Sequence, residues 1–103
     1  MYASITTNQM QPERLDEAAA VWRDLYPDDT RTADVQGLRG SHFLVDRATG
    51  QIAIVGLWET EVAARAFETS GAMRQRAERL AEYTTGTPER RVYEVAASVG
   101  GKP

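Results

Sequence analysis

The apolar positions change period several times along this chain, and each change marks an element. Tyr2 to Gln9 is rich in β-branched residues and reads as a first strand, with Ile5 its strongest apolar member. One face carries Ala3, Ile5 and Thr7. The other, Tyr2, Ser4, Thr6 and Asn8, is unusually polar for a strand in so small a domain. Leu15, Ala18, Ala19, Trp22, Leu25 and Tyr26 then recur at three- and four-residue spacing, the single stripe of an amphipathic helix whose two aromatic members read as core. Pro12 suits the first helical turn, where its missing N–H costs nothing, and Glu13, Asp16 and Glu17 bring negative charge to the positive end of the helix dipole. Pro27 to Thr30 ends or tightens this helix, because a residue before proline is pushed away from helical angles. Positions 31–36 form a polar connection.

Gly37-Leu-Arg-Gly40 leads into a strand from Ser41 to Val45, and Ile52 to Trp58 is a second apolar run. The turn composition of Asp46 to Gln51 joins them as a hairpin. If Asp46 pairs with Gln51, then Arg39, Ser41, Phe43 and Val45 share a face with Ile52, Ile54, Gly56 and Trp58. A loop one residue different puts His42 and Leu44 on that face instead, and the sequence leaves both registers open. Thr60 is the expected N-cap of a helix reaching Leu80. Val62, Ala63, Ala66 and Phe67 make its first apolar patch, Met73, Ala77 and Leu80 its second, and Ser70-Gly71 bends or interrupts it between them. Arg74, Arg76 and Arg79, interleaved with Glu78 and Glu82, read as a solvated helix face. Thr84 to Glu89 is a loop, and Arg91 to Ala97 alternates as a last strand.

Strand, helix, strand, strand, helix, strand is the order of the split βαβ, ferredoxin-like fold. The expected class is α+β: a four-stranded antiparallel sheet with two helices on one face. A chain of 103 residues has room for one domain, taken as 1–98 with 99–103 a flexible tail. Ile52, Ile54 and Trp58 alternate with Ala53, Val55 and Leu57, so their strand is apolar on both faces. Helices cover only one. An exposed apolar sheet face predicts an interface, and a second copy packing sheet to sheet meets that demand economically.

Composition narrows the chemistry. The chain is 42% apolar and 26% charged, ordinary for a globular domain, with a net charge of −3 and no basic excess to invite nucleic acid. It has no cysteine, which removes disulfides, thiolate metal sites and cysteine nucleophiles and fits a reducing cytoplasm. His42 is the single histidine, and one histidine without cysteines or a nearby carboxylate pair builds no usual zinc or iron site. The first residues lack the basic region and apolar core of a signal peptide, and no run is apolar enough to span a membrane.

Three stretches carry a family resemblance: Gly37-Leu-Arg-Gly40, Gly56-Leu-Trp-Glu-Thr-Glu-Val-Ala-Ala64 and Arg91-Val-Tyr-Glu-Val95. With the element order, they resemble the antibiotic-biosynthesis-monooxygenase superfamily of dimeric α/β barrels. The resemblance implies a homodimer enclosing a sheet-lined cavity. It also implies oxidation of an aromatic or quinone/anthrone-like compound by dioxygen with no metal, flavin or haem, as in members related to polyketide-tailoring enzymes. Trp58 matches the tryptophan beside the cavity in several members, and Asn8 is similar to an asparagine placed in the pocket. Where many members have a histidine about nine residues after that tryptophan, this chain has Phe67. Near Arg76 and Ala77, where the haem-degrading branch has its axial histidine, there is none.

The candidate residues follow. Asn8 would position a substrate oxygen, and His42 is the natural general base near neutral pH. Trp58, Asn8, Phe43 and Ile54 would contact an aromatic substrate. Each also has a structural reading: Asn8 as a strand-end backbone partner, Trp58 as core or dimer interface, and His42 as a residue whose face depends on the hairpin register. The alternative function is a non-catalytic, small-ligand-binding or regulatory module on the same dimer. A haem-degrading enzyme comes third.

Overall fold

A computed structural model describes residues 1–25 and 35–100. Four strands form one antiparallel sheet in the order β2-β3-β1-β4: β1 Tyr2–Gln9, β2 Leu38–Val45, β3 Gln51–Trp58 and β4 Glu89–Glu94. Helices α1 (Leu15–Asp24), α2 (Glu61–Phe67) and α3 (Gly71–Leu80) complete the expected α+β, ferredoxin-like arrangement. The expected helix stop at Pro27–Thr30, Tyr26 of the stripe and most of the connection before Gly37 lie outside the described residues, as does the end of the tail.

Local chemistry sets the helix ends. Pro12 opens a short 3₁₀ turn (Pro12–Arg14) that feeds α1. The Thr60 side chain accepts from the Ala63 N–H at 3.1 Å, and the Ser70 side chain accepts from the Met73 N–H at 3.1 Å. The Ser70 hydroxyl also donates to the Phe67 carbonyl at 2.8 Å. Ser70-Gly71 therefore divides the expected single helix into two separately capped pieces. The Tyr83 hydroxyl donates to Glu17 at 3.1 Å and the Arg14 guanidinium lies 4.3 Å from the Tyr83 ring centre, tying the turn after α3 to α1. Arg14 and Tyr83 both donate to Glu17, and they hold its carboxyl below the usual value.

The hairpin register follows from its turn. The Asp46 N–H donates to the Gln51 carbonyl at 2.8 Å, and the Gly50 N–H returns to the Asp46 carbonyl at 2.8 Å. Val45 therefore faces Ile52, Phe43 faces Ile54 and Ser41 faces Gly56, while His42 pairs with Val55 on the opposite face. One expectation shifts. A β-bulge between Leu38 and Gly40 leaves Arg39 outside the alternation, so Leu38, not Arg39, lies opposite Trp58. Leu38 is buried, and Arg39 is exposed and paired with Glu59 at 3.2 Å. The strands also start earlier than their apolar cores suggest, β2 at Leu38 and β4 at Glu89, and β4 ends at Glu94 rather than Ala97.

The helices cover the face carrying Ser4, Ile52, Gly56 and Trp58, all buried. Two apolar clusters form there: Met10, Leu15, Ala18, Ile52, Leu80 and Tyr83 at one end, and Val35, Leu38, Trp58 and Ala64 at the other. The first patch of α2 is placed differently from the sequence expectation. Ala64 is the buried contact, with Ala63 and Phe67 half-buried, while Val62 and Ala66 are exposed. A short helix lying flat on a sheet buries only a narrow stripe. Among the described residues, no helix is long and apolar enough to cross a membrane.

Candidate functional site

Between the two clusters, the helices stand off the sheet and leave a cavity of about 290 Å³. Its floor is the polar face of β1, Ser4, Thr6 and Asn8, together with Ser41, Ile54 and Gly56 of the neighbouring strands. Its roof includes Trp22 of α1, Phe67 at the end of α2, and Met73, Arg76 and Ala77 of α3. Trp58 forms one end wall. The polar alternation of β1 thus faces a cavity and not bulk solvent.

The aromatic wall is held firmly. Trp58 is 2% exposed, and its indole Nε1–H donates to the Ser4 hydroxyl at 2.9 Å. This bond answers the requirement that a buried indole N–H find a partner. Gly56, opposite Ser4, makes room for it, since a Cβ there would lie 2.9 Å from Ser4 Oγ and 3.0 Å from Trp58 Nε1. Phe67 packs against Trp58 with ring centres 5.3 Å apart at 46°, within the range of favourable aromatic pairs.

Asn8 is tied to the strand end and also stands on the cavity lining. Its Oδ1 accepts from the Gln9 N–H at 2.8 Å, so it satisfies the strand end, and it also lines the cavity. Fixing the oxygen on a backbone donor leaves the Nδ2 amide as the group it can offer a ligand. Ile54 and Trp58 line the cavity with it. Phe43 shares their face but lies beyond the lining, packed on Trp22 with ring centres 5.6 Å apart. Trp22, read as core, is also part of the cavity roof. His42 is exposed on the other side of the sheet and cannot reach a ligand in this cavity.

Two arginines, a residue type usually exposed, also line the cavity. Arg76, read as part of a solvated face, is 5% exposed, donates to the Ala72 and Leu25 carbonyls at 3.0 and 3.1 Å, and lines the cavity. Its spacing from Met73 and Leu80 puts it on the buried stripe of α3, which was the available signal. Arg90 of β4 lies opposite Thr6 and also lines the cavity. It donates to Glu68 at 2.7 Å and to the Ala64 carbonyl at 3.0 Å. Burial lowers the pKa of Arg90, and the neighbouring Glu68 carboxylate opposes that shift. The guanidinium carbons of Arg76 and Arg90 lie 6.0 and 5.7 Å from the Phe67 ring centre. Among the described residues no aspartate, glutamate or histidine lines the cavity, and none group in threes as a metal site would.

Solved structures share this fold. A protein from Nitrosomonas europaea, provisionally assigned as an antibiotic biosynthesis monooxygenase, matches with a TM-score of 0.73 at 12% identity, covering 94% of this chain and 100% of its own. One from Deinococcus radiodurans with the same assignment has a TM-score of 0.72 at 16% identity and covers 100% of both chains. Another from Bordetella bronchiseptica gives 0.71 at 18% identity, over 93% of this chain and 97% of its own. No protein-family model and no curated protein matches the sequence. At these identities what the chain shares with these proteins is the fold.

Proposed function

We propose that this protein oxidises an aromatic or quinone/anthrone-like small molecule with dioxygen, without a bound cofactor, in the cavity between sheet and helices. The observation that carries the reading is the cavity: an aromatic-walled space of about 290 Å³ with a hydroxyl- and amide-bearing floor. Its fold is shared with proteins provisionally assigned as antibiotic biosynthesis monooxygenases. In such a reaction an activated methylene of the substrate loses a proton, and the carbanion supplies electrons to dioxygen. One oxygen atom remains as the new carbonyl, and the other leaves as water with the two methylene hydrogens. The protein's part is to exclude bulk water and stabilise the ionised oxygen of the substrate. In this reading Asn8 Nδ2 positions a substrate oxygen, while Trp58 and Ile54 flank the ring; His42 takes no part.

A second reading is a non-catalytic ligand-binding module. It is favoured by the absence of a histidine or carboxylate base from the described lining. Under either reading a second copy covers the open sheet face, where Ile5, Val55 and Leu57 remain half-buried and Leu44 and Tyr93 are about half exposed (51% and 48%). A chain without cysteine suits the reducing cytoplasm.

Oxygen uptake with an anthrone or hydroquinone separates the readings. Purified protein should exceed the protein-free rate, Asn8→Ala should lose roughly 100-fold of that enhancement, and Trp58→Phe should retain part of it. Equal rates for all three, matching the protein-free control, would remove the enzyme reading. Saturable ligand binding without oxygen uptake would establish the second.

A further inference from the structure

We propose that the cavity selects its aromatic ligand as an anion, whose negative oxygen is taken by Arg90 beside Thr6. The inference rests on the cavity being a ligand site and adds the charge class of what enters. Three observations converge on it. Arg90 lies against the cavity's aromatic wall, as Arg76 does at 6.0 Å: Trp58 packs on Phe67 at 5.3 Å, and the Arg90 guanidinium lies 5.7 Å from the same Phe67 ring. A ligand ring set against that wall brings a substituent oxygen toward the guanidinium.

Second, the Arg90 side chain is only 10% exposed, while the carboxylate that neutralises it, Glu68, is 41% exposed. The cation therefore sits in the poorly solvated interior, while its counter-ion, in contact at 2.7 Å, lies at the solvent boundary. An anion inside would meet this charge in a low dielectric, where the attraction is strongest. The bonds to Glu68 and Ala64 engage one N–H on each terminal nitrogen and leave further donors of the guanidinium available.

Third, the polar lining offers donors. Thr6 lies opposite Arg90 on the adjacent strand, and Asn8, with its oxygen tied to the Gln9 N–H, presents an amide two residues along the same face. No acidic side chain among the described residues lines the cavity to repel an anion. A neutral polar ligand could take only an ordinary hydrogen bond from Arg90. An aromatic carboxylate or an ionised phenol would answer it with a charge-assisted bond.

Calorimetric titration with 1-naphthoate and its neutral counterpart 1-naphthamide tests this at neutral pH. Naphthoate should bind the unaltered protein roughly 10- to 100-fold more tightly than the amide. Arg90→Gln should abolish that preference, bringing the ratio of acid to amide affinity down to about one. Glu68→Gln removes the competing carboxylate and should tighten naphthoate by about 3- to 10-fold. This opposite sign separates recognition from scaffolding, because a structural role for the pair predicts weaker binding in both variants. Arg90→Lys keeps the charge and should restore part of the preference if Arg90→Gln folds poorly. A parallel titration of bound 1-naphthol, read by phenolate absorbance, identifies the source of the anion. An ionisation moved to lower pH marks a phenolate site, and an unmoved one with naphthoate preferred marks a carboxylate site. Equal affinity for acid and amide in the unaltered protein overturns the anion proposal and leaves the cavity standing. Failure of both to bind removes the ligand site and this proposal together.

Discussion

The two faces of this sheet are made from the same strands yet have opposite requirements. On the helix-facing side Ser4, Ile52, Gly56 and Trp58 are buried, and their polar groups are paired within the protomer, as the Trp58–Ser4 bond shows. On the other side Ile5, Val55 and Leu57 alternate with them, and no described element covers them, while His42 and Leu44 are exposed. The first face is apolar with a few fixed donors, the composition of a ligand cavity. The second is apolar at its centre, with the Arg91–Glu89 ion pair at its β4 edge, the composition of a contact surface. Alternation in β3 serves both at once, since a shift of a single residue would exchange them.

The largest effect is expected where the closed face is most finished. Trp58→Ala removes a 2% exposed indole and should cost about 3–5 kcal/mol in denaturant unfolding. A loss below about 1 kcal/mol would show that this end of the cavity is loosely packed and would erase the contrast between the faces. Ser4→Ala is the next step down. It leaves the Trp58 Nε1–H without its acceptor in a buried setting, for an expected loss of about 1–3 kcal/mol and a change in Trp58 fluorescence. Val55→Glu changes the other face and should alter protomer stability by no more than about 1 kcal/mol at low protein concentration. It should nevertheless abolish self-association in sedimentation. An unchanged sedimentation profile would mean that the open face is not where copies meet.

How much of this could be read from residues alone depends on the range of the interaction responsible. Thr60 and Ser70 are recognisable because a cap is local: a hydroxyl and an N–H three positions on suffice. Alternation likewise exposes β1 and β3, and the polar set Ser4, Thr6 and Asn8 already signals an unusual face. The position of His42 was not legible, because it depends on which carbonyl the Asp46 N–H chooses. The bulge at Arg39 leaves no mark in a two-residue alternation at all. Arg76 and Arg90 were hidden for a different reason. Arginine is usually exposed, and only the packing of α2 and α3 over the sheet brings these two inside. Phe67 was visible as an apolar patch member, yet its position between Trp58 and both guanidinium groups requires four elements to assemble.

The bulge at Arg39 also bears on which changes in length the chain can absorb. Upstream of it Leu38 meets Trp58, and downstream Gly40 meets Leu57 and Ser41 meets Gly56. Position 39 is thus a supernumerary slot: deleting it would join the two ladders in phase and keep every inward residue inward, at the expense of the Arg39–Glu59 pair. The same deletion at His42 would put one flanking segment of β2 out of phase with β3 and exchange cavity residues for surface ones. Within a single eight-residue strand, lineages could gain or lose a residue at one position while being held to fixed length three positions later.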